Sequence, residues 1–86
     1  MISVGIDVAK GKSTICVINQ YGEILCSPKD YKHNIDDLNS FNQVLTKYKE
    51  EIHFVMEATG KYHLPVYHYF KEKGFFVSVI NPLEMK

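Results

Sequence analysis

The spacing of apolar positions along the chain changes several times, and each change marks an element. From Ile2 to Asp7 apolar residues dominate, Val8-Ala9-Lys10-Gly11-Lys12 supplies turn chemistry, and Ser13-Thr14-Ile15-Cys16-Val17-Ile18 is β-branched, so the pattern predicts a hairpin. Asn19-Gln20-Tyr21-Gly22 is a second turn, and Glu23 to Ser27 reads as a third short strand ended by Pro28. After a polar linker from Lys29 to His33, Asn34 is placed to cap a helix. Asp36 and Asp37 fall in its first turn, at the positive end of the helix dipole. Ile35, Leu38, Phe41, Leu45 and Tyr48 then recur at three- and four-residue steps as one apolar stripe, with Lys47 and Lys49 at its far end.

Ile52-His53-Phe54-Val55-Met56-Glu57 is short and apolar enough for a buried strand, and Ala58-Thr59-Gly60 is a break. A second helix fits Tyr62 to Lys73, with Pro65 tolerated in its first turn and Gly74 placed to end it. Phe75 to Ile80 is a last strand, stopped by Asn81-Pro82. The predicted order is β-β-β-α-β-α-β. Strands joined by helical crossovers run parallel and those joined by tight turns antiparallel, so the expected fold class is α/β with a mixed sheet. Leu83-Glu84-Met85-Lys86 begin what reads as another helix, and residues 1–86 are expected to form a single partial domain, truncated after the fifth strand.

Composition narrows the function classes. Hydrophobic residues make up 45% of the chain and charged residues 23%, which sets aside disordered, collagen-like and coiled-coil classes. Ten lysines balance ten acids and arginine is absent. Arginine supplies the bidentate contacts that sequence-specific DNA readers favour, so this stretch does not read as a self-sufficient DNA-reading module. There is neither an apolar run of the roughly 20 residues that span a bilayer nor a signal-peptide pattern, and a cytoplasmic location is expected. Cys16 and Cys26 fall opposite each other if their hairpin is centred on Tyr21; the favoured reading is two half-buried reduced thiols rather than a bridge or a zinc site.

Two acids end apolar strands, Asp7 and Glu57. A carboxylate at the edge of a buried strand is costly to desolvate unless paired or metal-bound, and the carboxyl ends of parallel strands are where sites assemble. Each has an ordinary explanation, a turn-forming Asp and a first-turn acid of the next helix; their matched placement favours a shared crevice. Two such carboxylates begin a hard-cation site suited to Mg²⁺ or Mn²⁺, able to position a phosphodiester and activate water.

Val4-Gly5-Ile6-Asp7-Val8-Ala9-Lys10, then Met56-Glu57-Ala58-Thr59-Gly60 with Tyr62, then Val79-Ile80-Asn81-Pro82, resembles the N-terminal domain of the IS110-family (IS110/IS116/IS902) transposases over essentially the whole chain. The resemblance implies a ribonuclease H-like (RuvC-like) fold and an acidic tetrad of Asp, Glu and two further Asp that holds divalent metal. Asp7 matches the first Asp and Glu57 the Glu; both are expected as catalytic and metal-ligating residues. The family's last two Asp have no counterpart, since only Glu84 is acidic after Asn81, and no serine here matches the strand-exchange serine of its C-terminal domain. The resemblance further implies a transposase acting on DNA of insertion-sequence ends and targets with an element-encoded structured RNA, as a homo-oligomer in the full-length protein. This chain is expected to be inactive alone.

Weaker signals stand beside these. Gly11-Lys12-Ser13-Thr14 imitates the end of a P-loop, but position 6 is Ile where a glycine is required and a strand former follows. Lys10, Lys12, Thr59 and Lys61 are candidate phosphate contacts, the last two at a helix N-terminus. His33, His53, His63 and His68 lack ligand spacing, though His53 shares the strand parity of Glu57. Tyr62, Tyr67, Tyr69 and Phe70 crowd more than one face of the second helix; some are core and the rest are expected to meet a further half of the domain. Two alternatives remain, an ATP-binding part of a sugar kinase or actin-like fold and a non-catalytic interaction module. The first needs a glycine-dense phosphate turn, where Val8-Ala9-Lys10-Gly11 offers one glycine.

Overall fold

A computed structural model describes residues 1–58 and 60–80. The elements are β1 (Ile2–Ala9), β2 (Lys12–Asn19), β3 (Ile24–Lys32), α1 (Ile35–Leu45), β4 (Ile52–Glu57), α2 (Leu64–Glu72) and β5 (Phe76–Ile80). They form a five-stranded mixed sheet in the order β3-β2-β1-β4-β5, antiparallel across β3-β2-β1 and parallel across β1-β4-β5. The expected fold class is therefore observed. Asn81-Pro82 and the segment after it lie outside the described residues.

Alternation sorts the sheet into two faces. Ile2, Val4, Ile6 and Val8 of β1, Ile15 and Val17 of β2, and Phe54 and Met56 of β4 are buried on one face against Leu38, Phe41 and Leu45 of α1 and Val66 and Phe70 of α2. Phe54 stacks on Phe70 with ring centroids 4.4 Å apart and meets Phe41 edge-on at 6.4 Å, joining both helices to the sheet. Gly5, Asp7, Val55 and Glu57 lie on the other face, which no described element covers.

Four boundaries differ from the sequence reading, each for a local reason. β1 does not stop at Asp7: Val8 is buried and pairs with Ser13, leaving only Lys10-Gly11 as the turn, with Gly11 at φ +76°, a conformation glycine adopts freely. β3 runs through Pro28 to Lys32, which an edge strand tolerates because a missing N–H there need not break a ladder. α1 begins as expected, Asn34 accepting from the Asp37 amide at 2.8 Å, but ends at Leu45. Ile35 is 62% exposed, and Tyr48 reaches the core from beyond the helix. α2 starts at Leu64, two residues later than expected, behind a turn at 60–63.

The β2–β3 register slips at two irregularities, so Cys26 pairs with Val17 and not with Cys16. Both thiols are free; the Cys26 sulfur lies 3.9 Å from the Tyr48 hydroxyl, on the helix side of the sheet.

Buried Ser13 joins the β1–β2 hairpin to the β3–α1 link through a 2.7 Å hydrogen bond to His33 Nε2. Desolvation disfavours the charged imidazole and lowers its pKa from the ordinary 6.5. The unfolded chain therefore binds more protons than the folded one just below pH 6.5, so stability rises with pH across that window and is lost as pH falls toward the folded value. Thermal melts at about pH 5.5 and about pH 7.5 are expected to differ in this direction, and His33→Gln to flatten the difference. An unchanged pH slope in that variant would remove His33 from the account.

Candidate functional site

The parallel register that pairs Ile6 with Met56 carries Glu57 beside Asp7 on the next step, both on the uncovered face. Adjacent strands lie roughly 4.8 Å apart, so the two carboxylates share one short span of surface. Asp7 pairs with Thr14 on its other side, Thr14 with Asp30, and Glu57 with Ile80. A single row thus crosses the sheet as Asp30, Thr14, Asp7, Glu57 and Ile80. An open concavity of about 680 Å³ follows this row, lined by Asp7, Thr14, Glu57 and Ile80 with Gly5 and Cys16 behind them. Gly5 is what keeps the floor low: it carries no side chain between Cys16 and Val55, its two register partners.

Glu57 ends its strand as expected. Asp7 does not; it sits within the β1–β2 ladder, two residues before Ala9. Both are exposed, and neither has a hydrogen-bond or ion-pair partner among the described residues. The donors present are hard oxygens, the type that Mg²⁺ and Mn²⁺ select, so the pair fits such a cation as part of its shell. Among the described residues no group of three or more His, Cys, Asp or Glu is gathered closely enough to hold a metal without further ligands.

The sequence reading missed Thr14 and Asp30. Thr14 Oγ1 donates to Asp30 Oδ1 at 2.6 Å, and Lys12 Nζ approaches Asp30 Oδ2 at 3.5 Å. The Thr14 hydrogen bond, and after it the Lys12 charge, hold the Asp30 carboxyl below its usual range. A two-residue turn at Lys10-Gly11 is the signal that places Thr14 opposite Asp7; a five-residue turn puts Ser13 there instead.

The other candidates scatter. Lys12 is engaged with Asp30, and Lys10 is exposed in the turn. Thr59 lies outside the described residues. Lys61 is exposed in the turn before α2, not at a helix N-terminus, because the helix starts at Leu64. His53 shares the face of Glu57 but sits four residues back along β4, roughly 13 Å away. It packs on Phe76 with centroids 4.7 Å apart and lies 3.3 Å from Glu51, so it is outside the concavity. Phe70 is core and Tyr62 exposed, while Tyr69 is half-buried and its hydroxyl donates to Asn39. The Lys10-Gly11 turn holds one glycine, not the glycine-dense phosphate turn that the kinase-like alternative needs. No described helix is long and apolar enough to cross a membrane.

Comparison with known proteins agrees with this fold. The family model described as a transposase, that of the IS110 DEDD group, matches residues 4–86. The structure of RuvC from T. thermophilus in complex with a Holliday junction substrate superposes with a TM-score of 0.59 at 14% identity, covering 96% of this chain and 66% of that one. A second Thermus thermophilus RuvC structure gives a TM-score of 0.59 at 17% identity, covering 95% of this chain and 64% of that one. The chain thus spans just under two thirds of the RuvC chains it resembles. No curated protein sequence matches it. With the five-stranded order, the RuvC likeness and a family match over nearly every residue, the chain belongs to the IS110 family of DEDD transposases and has a ribonuclease H-like fold.

Proposed function

We propose that this chain serves DNA transposition by an insertion sequence, with Asp7 and Glu57 as two carboxylate ligands of an Mg²⁺ or Mn²⁺ site used for strand cleavage and transfer. The observation that carries the reading is their placement side by side on the uncovered face, over an open concavity. A divalent cation held there would supply Lewis acidity to a phosphodiester and to the attacking hydroxyl. The chain's own part is to fix two negative oxygens on a rigid sheet, where their separation does not depend on loop motion. Thr14 borders the concavity on the β2 side, and Lys10 and Lys12 at the hairpin are the proposed phosphate-backbone contacts, Lys12 by giving up its 3.5 Å pairing with Asp30. The RuvC structure in complex with a Holliday junction substrate supports DNA as the partner. Element ends and target DNA are the substrates proposed, with an element-encoded RNA as guide.

Two carboxylates leave most of a hard cation's shell to water, so the 86-residue chain is expected to bind Mn²⁺ weakly and neither to cut nor to join DNA. Calorimetric titration with Mn²⁺ should show one class of site, lost in Asp7→Asn and in Glu57→Gln while circular dichroism stays unchanged. Parent-like affinity in both variants would refute the site. Metal-dependent nicking of a plasmid by the pure chain, abolished in Asp7→Ala, would refute the expected inactivity.

A further inference from the structure

The two edges of the sheet are protected very differently. β3 carries Pro28, Lys29, Asp30 and Lys32, the residues that discourage a further strand from pairing. β5, Phe76-Val77-Ser78-Val79-Ile80, has no charge and no proline, with Phe76 56% and Val79 37% exposed. Its free hydrogen-bonding groups can be assigned. The Ala58 amide donates to the Ile80 carbonyl, so Ile80, and by alternation Ser78 and Phe76, turn their backbone groups toward β4. Val77 and Val79 therefore turn theirs outward, where no described strand meets them.

From this edge we infer that β5 is an interaction surface for a second copy of this chain, the two β5 strands pairing antiparallel about a two-fold axis through Ser78. The strand is self-complementary in that register. Val77 of each copy stands opposite Val79 of the other, and these are the residues with outward N–H and C=O groups, so each pair can exchange both hydrogen bonds. Ser78 faces Ser78 across the axis as the intervening pair. Phe76 faces Ile80, large against large, on the same side of the sheet in both copies. No charge is buried, and the two five-stranded sheets become one.

Two-fold pairing uses up both β5 edges and leaves only the guarded β3 edges outside, so assembly closes as a dimer and does not propagate as a fibre. A cleft of about 320 Å³ lined by His63, Leu64, Tyr67, Val77 and Val79 lies between α2 and this edge, and a second strand alongside would cover its open side. On the other face, Phe76 of the second copy comes to lie beside Ile80, the residue that borders the concavity past Glu57.

Sedimentation equilibrium of the 86-residue chain from about 1 μM to about 1 mM should show a monomer–dimer equilibrium with no larger species. Ser78→Lys sets like charges opposite each other on the axis and should weaken dimerisation at least about tenfold with circular dichroism unchanged. Ser78→Cys, in a chain with Cys16 and Cys26 replaced by serine, should oxidise to a disulfide-linked dimer, since this non-hydrogen-bonded pair brings the two Cβ atoms within bridging range. A chain that stays monomeric throughout and does not cross-link would overturn the inference. So would a dimer indifferent to both substitutions.

Discussion

Phe54→Ala is expected to lower the unfolding free energy by about 3–5 kcal/mol, the upper range for truncating one core side chain. Phe54 is fully buried in the middle of β4 and meets aromatic residues of both helices and of the link into β5: Phe41 at 6.4 Å, Phe70 at 4.4 Å and Phe75 at 5.0 Å between centroids. Its removal leaves a cavity that rigid neighbours on three elements cannot collapse to fill. A chain of this size has about 4–13 kcal/mol of stability in total, so the loss takes a large share of it. Among the described residues only one face of this sheet is covered by helices, and no second core takes up the loss. Urea unfolding followed by far-UV circular dichroism would measure it, with Phe54→Leu as the milder control. A loss under about 1 kcal/mol for the alanine variant would mean that the helices are not held to the sheet through this ring.

The elements most legible in the sequence were those whose residues speak for themselves locally. Asn34 followed by two aspartates and an apolar stripe specified the start of α1, and Ile52–Glu57 specified β4 to the residue. What escaped depended on pairing partners. Pro28 looks like a stop unless one knows that β3 lies at an edge, and the turn after β1 looks five residues long unless the burial of Val8 is known. That error moved the register by one residue, which in a sheet moves a side chain to the other face. It hid Thr14 behind Ser13, and Asp30 with it. Glu57 was legible because its strand ends there; the adjacency of Asp7 rested on strand order, which spacing alone does not fix.

The candidate site carries a second large expected effect, an inversion of stability order on adding cation. Asp7 and Glu57 stand on neighbouring strands with no described cationic partner, and like charges facing each other across a sheet destabilise it. Without divalent cation, Asp7→Asn should therefore be more stable than the parent chain by about 0.2–1 kcal/mol. With Mn²⁺ at ten times its dissociation constant and ionic strength held fixed, binding to the folded state adds about 1.4 kcal/mol to the parent. For a domain of this size that raises Tm by roughly 6–11 °C. The variant lacks one of two ligands and should barely respond, so the parent overtakes it. The crossing matters because a merely structural role for Asp7 predicts no crossing: a residue that only caps a turn would leave the variant less stable with and without Mn²⁺. Parallel Tm increases in the parent, Asp7→Asn and Glu57→Gln would place the cation elsewhere on the molecule. A crossing in one variant but not the other would leave a single carboxylate, and the shared row across β1 and β4 would lose its chemical meaning.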